Sequence, residues 1–376
     1  MRVLLTTDTI GGVWTFTKEL TTELLHAGHS IALVSFGRTP SREQSAWSAT
    51  IGAQYGSSFR YEASTAPLEW MNPNENAYTA GELCLKRIAD EFCPDLLHSN
   101  QFCFGRLPIP VPRLITAHSD VLSWGTACRP NGFEPSPWLR GYCNMVAQGL
   151  SAADAVVAPT RWILDALGQH FALPAQRRVI LNGRTLPHSF ADGDRALHAV
   201  SAGRLWDEAK NLTMLAEVHS EVPIFVAGDC QHQAAVAPQN LGDAVQLGPL
   251  EECDLFALFR VSSMYIATSI YEPFGLAPLE AALCGCAVLA NDIPSLREVW
   301  GDAALYFEDA DALSRLLGQL QTSPEMLMEA RQRAGTRALE LNAARMTAEY
   351  LALYSELLAS KSGELKSHED LAAYAS

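Results

Sequence analysis

Two short stretches of the chain hold residue types whose spacing suits an oxyanion and a pair of hydroxyl groups. The first is TSIYEPFGLAPLEAALCG, residues 268–285. It reads as a strand ending at Thr268, a turn carrying Glu272, Pro273, Phe274 and Gly275, and a helix from about Gly275 to Gly285. The amides of Phe274, Gly275 and Leu276 then point out of a helix start, where the dipole and free N–H groups favour a phosphate. Glu280 is the only charge between Glu272 and Asp292, and one carboxylate can accept two hydroxyl hydrogens, as from a ribose diol. A single acid on a helix is ordinarily solvated. Its apolar surround, eight residues after Glu272, favours a ligand. The second stretch is AGRLWDEAKN, residues 202–211. A strand ends in Gly203-Arg204, and Lys210 precedes a helix expected to begin near Asn211. One forked and one point cation suit a diphosphate. Isolated, the two would read as surface ion pairs, but they lie in a strongly acidic half.

That asymmetry can be counted. Residues 1–184 hold 15 Lys+Arg and 15 Asp+Glu, whereas residues 185–376 hold 12 and 27 and carry the whole net charge of −15. Such a half repels polyphosphate, so nucleic acid is not an expected partner. The sequence has no Lys/Arg cluster of the kind that anchors a protein to anionic lipid.

Elements must position these residues, and the apolar runs supply them. Strand-length runs appear at 2–7, 30–36, 95–98, 113–117, 155–158 and 178–181, with helical periods between them and a helix across 14–26. The pattern restarts at 198–202, 223–227, 244–247, 264–268, 287–290 and 304–307. Continuous apolar strands alternating with helices imply parallel sheets covered on both faces. At 376 residues the chain is too long for one ordinary core. Two Rossmann-like domains are expected, 1–183 and 184–342, with a break in NGRTLPHSFADGD. An amphipathic helix follows over 343–359, then a polar, frayed tail over 360–376. Segment 37–80, rich in Ser, Pro and Asn, yields no elements.

An apolar fraction of 48% and 18% charged residues are those of a folded protein. No run approaches a membrane span, and the N-terminus has no secretory pattern. Nine cysteines without a CxxC read as reduced thiols in a cytoplasmic protein. No metal site is expected, because no ligand cluster or paired acids sit at a strand end. GxGxxG is absent after the first strand, which argues against a nicotinamide enzyme.

Together these motifs resemble glycosyltransferase family 4, the retaining nucleotide-sugar enzymes of GT-B fold. The resemblance covers roughly residues 1–358. It rests on Glu272-x7-Glu280, on GRL…KN, on the Gly11-Gly12 loop and on Asn182-Gly183 at the domain junction. It implies two Rossmann-like domains whose parallel sheets face a central cleft, the first binding acceptor and the second the nucleotide sugar. It also implies that the 343–359 helix crosses back to the first domain. Arg204 and Lys210 would hold the donor diphosphate, with the 274–276 amides; Glu280 would hold the ribose, and Glu272 the hydroxyls of the transferred sugar. Gly11 and Gly12 would allow close approach to the donor phosphate, and Gly203 and Asn182 would also line the donor. His118, in TAHSD, matches a His beside the transferred sugar. The base would be read by backbone around Gly248–Leu250. Two departures stand out: Lys210 follows Arg204 by six residues rather than the usual five, and Leu181 replaces the usual Pro before Asn-Gly.

The expected reaction is metal- and cofactor-independent transfer of a sugar from a nucleoside-diphosphate donor to a hydroxylated acceptor, with retention. Residues 37–140 match nothing that names the acceptor. Six of the 8 Trp lie in the neutral first half, so a neutral, soluble or weakly amphiphilic acceptor is expected, one or two Trp touching ligand. Peripheral membrane contact stays open. So do two other readings: another GT-B enzyme, such as a sugar phosphorylase or nucleotide-sugar epimerase, and a non-catalytic two-domain binding protein.

Overall fold

The computed structural model describes residues 1–71, 74–129, 131–186, 195–229, 231–232, 235–236 and 240–374. Its contacts divide the chain into two units. The first is Met1–Ser123, Phe133–Gly183 and Ala343–Ser376; the second is Trp124–Gly132 and Arg184–Asn342.

The first unit carries a seven-stranded sheet in the order β3-β2-β1-β4-β5-β6-β7. Its strands are β1 (Arg2–Asp8), β2 (Ser30–Phe36), β3 (Phe59–Ala63), β4 (Leu96–Ser99), β5 (Arg113–Thr116), β6 (Ala155–Ala158) and β7 (Gln176–Val179), and every pairing is parallel. Helices α1 (Gly12–His26), α2 (Arg42–Tyr55), α3 (Glu75–Phe92), α4 (Val121–Cys128), α5 (Pro137–Ala152) and α6 (Arg161–His170) connect them. Segment 37–80, read from sequence as irregular, contains α2 and β3. The start of α2 is a capping box: Ser41 Oγ accepts the Gln44 amide at 3.1 Å, and Gln44 Oε1 accepts the Ser41 amide at 2.9 Å. Strand β7 lies two residues earlier than expected. It is the sheet edge, where Arg177 and Arg178 are exposed, so its register did not need the apolar run.

The second unit has a six-stranded parallel sheet, β12-β9-β8-β13-β14-β15. It is built from β8 (Ala196–Ala202), β9 (Ile224–Ala227), β12 (Val245–Gly248), β13 (Ser262–Ala267), β14 (Ala287–Asn291) and β15 (Leu305–Phe307), with a short β10 (Gln231–His232) and β11 (Ala235–Val236) pair aside. Its helices are α7 (Glu252–Val261), α8 (Leu276–Leu283), α9 (Pro294–Trp300), α10 (Ala310–Thr322) and α11 (Pro324–Glu340). Val226, Ile266 and Leu289 of the sheet pack with Leu313, Leu317 and Leu320 of α10 in one core. The chain then returns to the first unit as α12 (Ala343–Tyr374). The polar tail expected beyond 360 is helical to Tyr374; Pro is absent from it, and Glu, Lys, Leu and Ala favour the helix.

Met346, Tyr350, Leu353, Tyr354 and Leu357 of α12 are buried among Val3, Leu5, Leu33 and Leu114 of the first sheet. Each such side chain removed from water contributes roughly 1.5–3 kcal/mol. A polar network runs through this apolar contact. His98 Nδ1 is hydrogen-bonded to the Tyr354 hydroxyl at 2.6 Å and Nε2 to Thr116 Oγ1 at 2.7 Å, and Thr116 Oγ1 lies 3.1 Å from the Tyr350 hydroxyl.

Burial, with a smaller contribution from His118, pushes the His98 pKa down to about 3. The folded state therefore refuses a proton that the unfolded chain takes up near pH 6.5. Above that pH both states hold neutral imidazole and nothing is lost. Between pH 6.5 and about 3, stability falls with acid. From pH 7 to 5, His98 alone is expected to cost about 2 kcal/mol, at about 1.4 kcal/mol per pH unit below 6.5. Urea unfolding measured at both pH values checks this; an unchanged midpoint contradicts it.

The eight described cysteines, all the chain's except Cys230, are free thiols. Cys230 lies outside the described residues, as do residues 187–194 of the expected domain break. Among the described residues, no helix is long and apolar enough to cross a membrane.

Candidate functional site

In the second unit, the two stretches singled out from sequence become loops at the carboxyl ends of β8 and β13, which are paired neighbours. Backbone stitches them together. The Ile270 amide donates to the Ala209 carbonyl at 2.9 Å, and Thr268 Oγ1 donates to the Lys210 carbonyl at 2.6 Å. Lys210 closes a short turn, Glu208–Lys210, and Asn211 follows with φ 47°. The helix expected from Asn211 is a 3-10 stretch, Leu212–Glu217. The left-handed Asn211 breaks any continuous α path there.

Lys210 Nζ donates to Glu272 Oε2 at 2.5 Å, and Ser269 Oγ donates to the same oxygen at 3.2 Å. Arg204 forks onto Asp207 Oδ2, Nη2 at 2.5 Å and Nε at 3.2 Å. The other Asp207 oxygen accepts the Ala209 amide at 3.1 Å and the Trp124 indole N–H at 3.3 Å. Burial pushes the Asp207 carboxyl upward, but the Arg204 charge, the hydrogen bonds from Arg204 and the Ala209 amide, and the Lys210 charge hold it below the ordinary value. Asp207 escaped the sequence reading, although an acid three residues after the arginine was visible in the lengthened loop.

Gly275 caps α8 with φ 91°, and a Cβ there would sit 2.9 Å from Pro278 Cγ. No other residue fits that helix start without strain. Phe274 is buried just before it, and Leu276 opens the helix. Glu280, one turn into α8, is buried and accepts Arg184 Nε at 2.9 Å on Oε1. Arg184 Nη2 also donates to Glu252, the first residue of α7. Gly248, with φ 74°, and Leu250 precede that helix. Arg184 and Glu252, like Asp207, are functional candidates missing from the sequence reading. Arg184 was visible only as a charge after Asn182-Gly183.

The remaining candidates lie in the first unit. Gly11, φ 78°, caps α1 at the end of β1, and Gly12 opens that helix. His118 follows β5, with Nε2 2.8 Å from Asn100 Oδ1, and its ring meets Phe16 edge-on at 4.6 Å. Asn100 Nδ2 donates to the Thr6 carbonyl at 2.6 Å, which turns Oδ1 toward His118. His118 therefore donates from Nε2, and Nδ1 carries the lone pair. Burial pushes its pKa down to about 3, so the ring is neutral at physiological pH. Asn182 is buried, with its carbonyl accepting Arg345 Nη2 at 3.1 Å at the start of α12. Trp14 and Trp47 pack edge-to-face at 5.6 Å, whereas Trp138 is 37% exposed. Among the described residues, no group of three or more His, Cys, Asp or Glu could hold a metal ion.

Paired parallel sheets with strand-end loops of this kind define the GT-B class. Sucrose-phosphate synthase from Thermosynechococcus elongatus superposes with a TM-score of 0.74 at 18% identity, over 96% of this chain and all of the other. HepE of Anabaena, in complex with UDP and glucose, gives 0.68 at 18% identity, over 95% and 100%. The model of Glycosyltransferase Family 4 matches residues 10–186, and that of Glycosyl transferases group 1 matches residues 206–339. The chain belongs to the family 4-like glycosyltransferases. Its relatives include the serotype-specific mannosyltransferase WbdA of Escherichia coli, 34% identical over 97 residues, which are 25% of this chain and 12% of WbdA. A D-inositol 3-phosphate glycosyltransferase of Mycobacterium sp. (strain KMS) is 27% identical over 251 residues, 58% of this chain and 56% of that one. Both matches cover less than two thirds of the relative's length.

Proposed function

We propose that the chain moves a sugar from a nucleoside-diphosphate donor to a neutral hydroxylated acceptor, with retention at the anomeric carbon and without a divalent metal or other cofactor. The observation that carries this reading is the Lys210–Glu272 contact, with Arg204 on the adjoining loop and the start of α8 on the same loop as Glu272. Lys210 and Arg204 meet the diphosphate, joined by the amides of Phe274, Gly275 and Leu276; Gly203 leaves room beside Lys210. Glu272, already held by Lys210 and Ser269, takes hydroxyls of the transferred sugar. Glu280 takes the ribose diol, and the backbone at Gly248–Leu250 reads the base. Gly11, Gly12, Asn182 and His118 of the first unit keep the donor-phosphate, donor and transferred-sugar roles that the family resemblance implies for them. The UDP and glucose held by HepE have the donor chemistry this set of groups suits. A cytoplasmic location belongs to the same reading and is supported by the eight free thiols among the described residues.

In this reading the reaction is a front-face substitution. The leaving phosphate oxygen takes the acceptor proton as the glycosidic bond breaks, so no carboxylate nucleophile is needed. The protein's contribution is charge stabilisation on the departing diphosphate by preorganised cations and amides. A thermal-shift screen with uridine, guanosine and adenosine diphosphates and their sugars tests the donor class, and NMR of the product anomer tests retention. No stabilisation by any of them overturns the reading.

Two outcomes are expected of the purified enzyme. Turnover is unchanged by EDTA, because cationic side chains and a helix start stand where a metal would neutralise the diphosphate. Loss in EDTA with recovery in magnesium or manganese contradicts this. Glu280→Ala weakens nucleotide binding roughly tenfold to a hundredfold, because a hydrogen bond to a charged group is lost in ground and transition state alike. A large fall in kcat at unchanged donor affinity assigns Glu280 a different role.

A further inference from the structure

Arg184 is almost fully buried, with its side chain 2% exposed. A buried guanidinium is tolerated only when charged or polar partners satisfy it. Here it is shared between two acids on different helices, Glu280 within α8 and Glu252 at the start of α7. Its own amide is tied to the Leu341 carbonyl at 3.0 Å, and the Phe256 ring of α7 lies 5.5 Å from the guanidinium carbon. Backbone and side chain are thus both held.

We propose that Arg184 is a positioning residue for donor recognition, clamping the ribose-binding Glu280 to the loop that reads the base. The proposal rests on the donor reading of Glu280 above. A planar fork reaches two carboxylates in defined directions, which a lysine's point charge does not. Glu252 directly follows residues 248–251, so one guanidinium sets the spacing between the Glu280 carboxylate and the base-reading backbone. It also limits rotation of Glu280, whose carboxylate must face two neighbouring hydroxyls at once.

The test uses the full chain and the nucleoside diphosphate that most stabilises the wild type, alongside its 2′,3′-dideoxy analogue. Removing the hydroxyls from the ligand is expected to weaken wild-type binding about tenfold or more. In Arg184→Gln that ratio falls to about twofold, while affinity for the dideoxy analogue changes little; the loss of activity appears in donor KM rather than kcat. Arg184→Lys restores part of the ratio. Glu252→Gln, which keeps the Arg184–Glu280 bond, lowers the ratio by about threefold and carries the test if Arg184→Gln does not fold. An unchanged ratio in the folded variants makes Arg184 a structural residue and overturns the proposal. Diphosphate binding by the wild type with no ribose discrimination overturns it too, but leaves the roles of Arg204 and Lys210 standing. Failure of the wild type to bind any nucleoside diphosphate removes both.

Discussion

Lys210→Ala is expected to abolish measurable turnover while leaving the fold intact. The side chain is 22% exposed and its ammonium rests on Glu272, which is 12% exposed. Its removal leaves a largely buried carboxylate without its cation and, in the proposed donor role, takes one of two fixed positive charges from a diphosphate that gains charge as the bond breaks. Loss of one such preorganised group costs about 3 kcal/mol or more, over a hundredfold in rate. The fall is expected in kcat and kcat/KM together, because the missing interaction strengthens in the transition state. The loop itself should persist, since the bonds from the Ile270 amide and the Thr268 hydroxyl to its carbonyls do not involve the ammonium. Turnover within tenfold of wild type, in a variant with an unchanged circular dichroism spectrum, contradicts the assignment.

The largest expected loss of stability comes from Tyr354→Ala. Tyr354 is 0% exposed, and its ring is packed among the α12 and sheet side chains of the first core. Truncation removes those contacts, leaves a cavity and strips His98 Nδ1 of its partner, at about 3–5 kcal/mol. Tyr354→Phe keeps the packing and loses only the hydroxyl, for about 1–3 kcal/mol. Total stabilities of about 5–15 kcal/mol make the first a near-unfolding change. Urea titration of the two variants should separate them clearly, and equal midpoints would sink the account of the network.

What the sequence revealed follows from how local each signal was. Most strands of both sheets were legible because each is a short, largely apolar run at a fixed place between helices; β3, FRYEA at a sheet edge, was not. Glu272 and Glu280, or Arg204 and Lys210, lie within ten residues of one another, so their chemistry could be read in one window. Arg184 could not be read that way: its partners are 68 and 96 residues distant. Helix α2 escaped because its described buried positions are only Ser48 and Ile51, too few to set an apolar period. Strand β7 slipped because an edge needs no apolar face. The 3-10 stretch after Asn211 was hidden by one residue in a left-handed conformation, which composition alone does not announce.

The return of α12 to the first unit also sets an order of events during synthesis. Residues 1–183 emerge first, yet the core around Val3, Leu5 and Leu114 stays open on the side that Tyr350, Tyr354 and Leu357 fill. The stretch 184–342 reaches the outside of the ribosome with its six strands already together in sequence. The later half of the polypeptide is thus able to fold before the earlier one, which waits as an incomplete intermediate with apolar surface uncovered. Until residue 357 is made, the apolar surface that α12 covers is expected to stay exposed.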